Sequence, residues 1–176
     1  MIYYANEQNR EERLQWATEY QDWTVQDFKK VLFSDESLMC CEKQGIKWIR
    51  KIKSQPFTAQ MINPIKKYKG GIQQMVWGLI EYQGGVSLEK ITGTINSEKY
   101  VDILSGNLES IKKRNKLFQQ DNARCHTSNI SKQWMTSNKI RILEWPAASP
   151  DLSPIENVWG YLSLRLKIQL NSYCKI

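Results

Sequence analysis

The chain has 176 residues, 41% of them hydrophobic and 11% aromatic, enough for one domain with a real core and too apolar for a largely disordered polypeptide. Its formal net charge of +7 makes a polyanion such as nucleic acid a candidate partner, although many basic domains carry such charge only for solubility. Four Cys without C-x-x-C spacing and a single His argue against a structural zinc site and for reduced thiols. No apolar run approaches the roughly 20 residues of a membrane span, and residues 1–13 hold no signal-peptide core, so secretion is not expected.

Residues 5–30 read as helical and charged, with Leu14, Trp16, Ala17, Tyr20 and Trp23 on an approximate apolar face and Thr24 as a candidate N-cap. Val31, Leu32 and Phe33 read as a short buried strand with polar residues 34–37 at its exit. Residues 42–69 are strongly basic, with Trp48, Phe57 and Tyr68 interleaved. A second strand is expected over 72–82, a hairpin turn at Gly84 and Gly85, and a third strand over about 86–94. Asn96 or Ser97 can cap a helix running to about 113, with Tyr100, Val101, Ile103, Leu104 and Leu108 inward. A short strand through Leu117 and Phe118 leads to Asp121. Thr127 or Ser128 caps the next helix, and residues 140–143 form a fifth strand. Pro146, Pro150 and Pro154 stiffen the loop before a last helix. This order implies an α/β fold, a mixed five-stranded sheet flanked by helices. The expected divisions are a helical lead-in over 1–30, a body over 31–168 and a short tail over 169–176.

Three acidic residues stand out by placement. Asp35 ends the first strand, Asp121 follows the fourth, and Glu156 lies in the first turn of the last helix; sheet-based folds present functional groups at such points. Three converging carboxylates repel one another unless cations neutralise them. Hard oxygen ligands point to two Mg²⁺ or Mn²⁺ ions, the arrangement used in phosphodiester chemistry. Singly, each residue has a plainer reading. Asp35 can be a turn residue, and Asp121 with Asn122 an ordinary turn pair. Ser153, Pro154 and Glu156 satisfy a capping-box pattern in which the carboxylate bonds the Ser153 backbone. Spacing alone does not choose between these roles.

The segments 34–37 (SDES), 75–78 (MVWG), 119–127 (QQDNARCHT) and 145–159 (WPAASPDLSPIENVW) occur in that order. Together they resemble the catalytic domain of the Tc-one/mariner superfamily of DNA transposases over about residues 12–168. The 34 residues between Asp121 and Glu156, and the final Glu rather than Asp, resemble the Tc-one branch. The resemblance implies an RNase H-like fold and a catalytic, metal-binding Asp-Asp-Glu triad of Asp35, Asp121 and Glu156. It also implies metal-dependent DNA cleavage and strand transfer on transposon ends and target DNA. The alternative is a catalytically silent DNA-binding remnant. A homodimer in a synaptic complex is expected by analogy, and a nuclear location if the source is eukaryotic, otherwise cytoplasmic. Members of the superfamily begin with paired helix-turn-helix modules and continue with further helices after the Glu. This sequence is therefore expected to be an isolated or truncated catalytic core. Gln73 stands where the family pattern has a small polar residue.

Lys47, Arg50, Lys51, Lys53, Lys66 and Lys67 are candidate DNA-phosphate contacts, with Trp48 or Tyr68 stacking on bases; the plainer reading is a solvated strand pair with its aromatics inward. His126 matches the family's His and is a candidate phosphate contact or support beside Asp121, or else a residue that caps or packs at a helix start. Trp77, Trp134, Trp145 and Trp159 read as core or loop anchors. Ile155, Val158, Trp159, Leu162 and Leu166 share one helical face that buries the last helix and holds Glu156 in place.

Overall fold

The computed structural model describes residues 6–41, 72–112 and 116–173. The basic stretch with Lys47, Arg50, Lys51, Lys53, Lys66 and Lys67 lies outside the described residues, as do Trp48, Phe57 and Tyr68.

The sheet grows from an apolar triplet. Val31 and Leu32 are fully buried and Phe33 nearly so. Successive strand side chains point to opposite faces, so Leu32 joins one core while Val31 and Phe33 join another. The strand does not stop there. β1 runs over Val31–Cys41, so Asp35 lies within a strand and not at its end as the polar exit suggested. The cause is tertiary: β1 is zipped antiparallel to β2 (Ile72–Glu81) from Phe33 to Cys41, and backbone pairing carries extended structure through polar residues.

β2 continues into β3 (Gly84–Ile91) through a two-residue turn at Tyr82 and Gln83. The turn thus precedes the glycine pair expected to form it. Gly84, at φ +142°, takes up the positive φ just after the turn, a conformation open to Gly without steric cost. A β-bulge follows, the register shifting between Leu79 and Ile80. β4 (Leu117–Gln119) pairs in parallel with Val31, Leu32 and Phe33, and β5 (Ile142–Leu143) in parallel with β4. Among the described residues the sheet has five strands in the order β3-β2-β1-β4-β5. It is mixed, as expected.

Helices cover both faces. α3 (Ser97–Gly106), α4 (Leu108–Ile111) and α6 (Asn129–Ser137) supply Tyr100, Leu104, Ile111 and Met135 to the core around Leu32, Trp77, Leu79 and Phe118. α7 (Ile155–Tyr173) lays Ile155, Trp159, Leu162 and Leu166 against Val31, Phe33 and Val76. It runs past residue 168, where a tail was expected to begin. The long third helix expected to reach about 113 instead breaks at Asn107, whose side chain donates to the Ile103 carbonyl at 2.9 Å. Asn96 does cap α3, accepting from Lys99 N–H at 3.0 Å, and Ser128 caps α6. Asn96→Ala is expected to cost about 1 kcal/mol, the usual worth of such a cap, read as a lower urea midpoint with an unchanged slope.

The lead-in forms α1 (Glu7–Glu19) and α2 (Val25–Phe28). Leu14 is 70% exposed, so the apolar face is narrower than its spacing suggested. Trp16, Tyr20 and Trp23 pack on the α7-side core. The Trp16 indole N–H donates to the Glu144 carbonyl at 2.8 Å, and Arg13 grips Asp151 with two hydrogen bonds of 2.8 and 2.7 Å. Among the described residues no helix is long and apolar enough to cross a membrane.

Candidate active site

The site forms where β1 and β4 part. Their parallel pairing ends at Phe33 and Gln119. Asp35 and Asp121 each stand two residues beyond, on the carboxyl side of the paired strands, the region where open α/β sheets bind ligands. The Ser34 hydroxyl donates to the Gln119 carbonyl at 2.8 Å and clips the strands together at the fork. The third acidic residue, Glu156, is brought in by α7 behind a single 3-10 turn over Pro150–Leu152. Asp35, Asp121 and Glu156 all line one cleft of about 430 Å³, floored by Ser34 and Gln119 and rimmed by Pro146, Ala148 and Pro150.

Neighbouring β1 residues point to opposite faces. Asp35 turns toward α7, where its Oδ2 accepts from the Trp159 indole N–H at 2.9 Å. Glu36 turns toward α5 (Arg124–Thr127) and meets His126, its Oε1 lying 3.2 Å from Nε2. The other ring nitrogen, Nδ1, sits 2.7 Å from Asp121 Oδ1. That same oxygen accepts from Ala123 N–H at 2.8 Å, so Asp121 also closes a local turn. Asn122 donates to the Trp145 carbonyl at 2.9 Å and ties this turn to the proline loop. Tyr100 stacks on His126 with ring centroids 4.1 Å apart, and its hydroxyl donates to Gln120 Oε1 at 2.6 Å.

The electrostatics follow from these contacts. Burial pushes the Asp35 carboxyl up to about 7; the Trp159 N–H opposes the shift, and repulsion from Glu36 and Glu156 adds to it. Burial also raises Glu156. Burial works against a charged His126, but the hydrogen bonds and charges of Asp121 and Glu36 outweigh it and lift the imidazole to about 10. His126 is therefore an imidazolium bridging two carboxylates at neutral pH. In turn its hydrogen bond, with that of Ala123, overcomes burial and lowers Asp121.

His126 is only 3% exposed, with both nitrogens engaged. Its contact with Asp121 accords with the supporting reading, and its burial with the packed one. The capping box read at Ser153 is not formed: Ser153 Oγ is buried without a hydrogen-bond partner, and what closes the turn is the Glu156 N–H to the Ser153 carbonyl at 3.3 Å. Sequence reasoning passed over Glu36, Tyr100 and the indole of Trp159 as site residues. Strand alternation through residues 34–37 was the signal that Glu36 faces away from Asp35.

All-oxygen donors of this kind fit a hard divalent cation in chemistry, and the repulsion on Asp35 is what such a cation relieves. Among the described residues no three acidic, His or Cys side chains are already gathered closely enough to hold one.

Residues 30–173 match the family model described as DDE superfamily endonuclease. The chain belongs to that family. The DDE chain is 35% identical over 164 residues to the Tcb1 transposase of Caenorhabditis briggsae, covering 90% of this chain and 60% of that protein. It is 30% identical over 168 residues to the Tc1 transposase of Caenorhabditis elegans, covering 93% and 61%. It thus spans about three fifths of the length of the curated relatives it matches. Among solved structures, the Mos1 transposase paired-end complex with left transposon end is similar with a TM-score of 0.72 at 19% identity, over 94% of this chain and 51% of that one. The Mos1 mariner paired-end complex with Mn is similar with a TM-score of 0.65 at 17% identity, over 97% and 56%. The fold is RNase H-like, as the sequence motifs implied.

Proposed function

We propose that the chain is the catalytic domain of a cut-and-paste transposase that cleaves DNA at a transposon end and joins the freed 3′-OH to target DNA. The observation that carries this is that Asp35, Asp121 and Glu156, from β1, the β4 exit and α7, line one cleft. Asp35, Asp121 and Glu156 are the residues that would hold Mg²⁺ or Mn²⁺, with two ions as the expected complement. When bound, such ions lower the pKa of an attacking water and stabilise the leaving oxygen. The residues themselves supply orientation. Trp159 holds Asp35 through Oδ2, His126 and Ala123 engage Asp121 through Oδ1, and α7 presents Glu156 from a packed helix face. The cleft, which Pro146 and Pro150 help to line, would take a phosphodiester strand.

In the first reaction water adds to phosphorus and the P–O3′ bond breaks, releasing the 3′-OH. In the second that hydroxyl attacks a target phosphorus and displaces the target's own 3′-oxygen. The net charge of +7 suits a polyanionic substrate, and Lys47, Arg50, Lys51, Lys53, Lys66 and Lys67 are the proposed phosphate contacts. Two copies holding two ends, and work on chromosomal DNA in the nucleus of a eukaryotic cell, belong to the same reading. Residues 31–168 form its catalytic body and α1 and α2 its buttress.

The test supplies supercoiled plasmid and a labelled duplex ending in a 3′-OH, with Mn²⁺ or with EDTA. Nicking and joining that both require Mn²⁺ are expected. Nicking without joining would make the chain a nuclease on the same fold. DNA binding indifferent to Mn²⁺, with neither reaction, would make it a silent binding module.

A further inference from the structure

Gly78 in β2 has no task in the reading above, and Trp159 in α7 has there only its bond to Asp35. The antiparallel register sets Gly78 directly opposite Asp35, and directly opposed residues carry their side chains on the same face of the sheet. A Cβ on Gly78 would lie 2.4 Å from Trp159 Cη2 and 2.9 Å from Cζ2, distances that side chains do not tolerate. The six-membered ring of the indole therefore occupies the space over the one position on β2 that has no side chain. From there, 5% exposed, it sends its N–H to Asp35 Oδ2 at 2.9 Å. Trp159 stands three residues after Glu156, so the two share a face of α7 one turn apart.

We propose that Gly78 and Trp159 form a positioning pair that sets the rotamer of Asp35 and its separation from Glu156. The absent side chain at 78 lets α7 close onto β2. The ring so admitted holds carboxylate oxygen Oδ2 of Asp35 and so fixes how that carboxylate sits in the cleft it lines. The same helix then delivers Glu156 at a distance fixed by one helical turn. A ring acting only as core filler would need neither a hydrogen bond to an acidic residue nor a bare strand position beside it. This inference rests on the assignment of Asp35 as a cation ligand.

The test compares wild type, Trp159→Phe, Gly78→Ala and Asp35→Ala in the full chain. Trp159→Phe keeps an aromatic ring but removes the donor together with part of the ring, and thermal melting reads the packing loss separately. Mn²⁺ binding is followed by electron paramagnetic resonance of the free ion, Mn²⁺-dependent nicking by kcat and by the half-saturating Mn²⁺ concentration, and folding by thermal melting. In the metal-free protein, ¹⁵N-indole resonances report the Trp159 N–H. Weakening of Mn²⁺ binding by about tenfold or more is expected for Trp159→Phe, the usual scale for a residue that orients a ligand. Gly78→Ala is expected to do the same and to shift the Trp159 indole resonance without any metal; Asp35→Ala, which removes the acceptor, is expected to shift it too. Wild-type Mn²⁺ affinity and requirement in a folded Trp159→Phe protein would overturn the proposal, leaving Trp159 as packing alone. Undiminished Mn²⁺ binding and nicking in Asp35→Ala would overturn the ligand assignment itself, and the positioning role with it.

Discussion

Replacing Glu156 with Gln is expected to lower Mn²⁺-dependent nicking by more than about a hundredfold, beyond the 10- to 100-fold typical of a residue that only supports a ligand. The fold should survive. Glu156 is partly exposed, and the capping bond that would have made its carboxylate structural is not formed. Gln has the same shape and keeps the helix. The sign of the stability change can be stated. Burial raises the Glu156 carboxyl above its ordinary value, so the folded state prefers the neutral form. Stability tied to that group is present below the unfolded value and is lost as pH rises through the folded one. A permanently neutral Gln removes that loss, so the variant should be at least as stable as wild type at pH 7. Activity and melting temperature are read on the same preparation. A variant that melts with wild type yet nicks normally would remove Glu156 from the chemistry.

His126→Ala is expected to cost about 3 kcal/mol at pH 6, measured by urea unfolding. Removing one member of a buried ionic cluster leaves the others uncompensated, with losses of roughly 3–5 kcal/mol. The low end applies because the Asp121 side chain is 56% exposed and can turn to water, whereas that of Glu36, at 16%, cannot. The pH dependence distinguishes this from a plain cavity. The imidazole is raised from 6.5 to about 10 in the fold. Its contribution is complete below the unfolded value near 6.5 and is lost as pH rises through about 10. The gap between wild type and variant should therefore be widest near pH 6 and narrow toward pH 10. A gap of constant size would reduce His126 to packing against Tyr100. Nicking should fall as well, since Asp121 then keeps only the Ala123 N–H.

The sequence was informative where the physics is local. Short apolar runs bounded by turn residues announced the strands, Asn96 and Ser128 stood where helices are capped, and the prolines between 146 and 154 marked the approach to α7. The acidic residues were legible as a set because their order and surrounding motifs agree, although each alone reads as a turn or a cap. Local pattern also misled. The residues 34–37 looked like the end of a strand, yet β1 continues because β2, more than thirty residues later, supplies its hydrogen bonds. Ser153 and Glu156 carried the letters of a capping box that the chain does not form.

What the sequence by itself determined about this protein is its α/β class and its family; it also picked out three acidic residues that the fold sets around one cleft. Those depend on residue type, period and order along the chain. Only the tertiary structure decided how the acids are held. Trp159 reaches Asp35 across 124 positions and His126 reaches Glu36 across 90. No periodicity encodes a hydrogen bond between residues so far apart; it exists only once packing has brought α7 over Gly78 and α5 against β1.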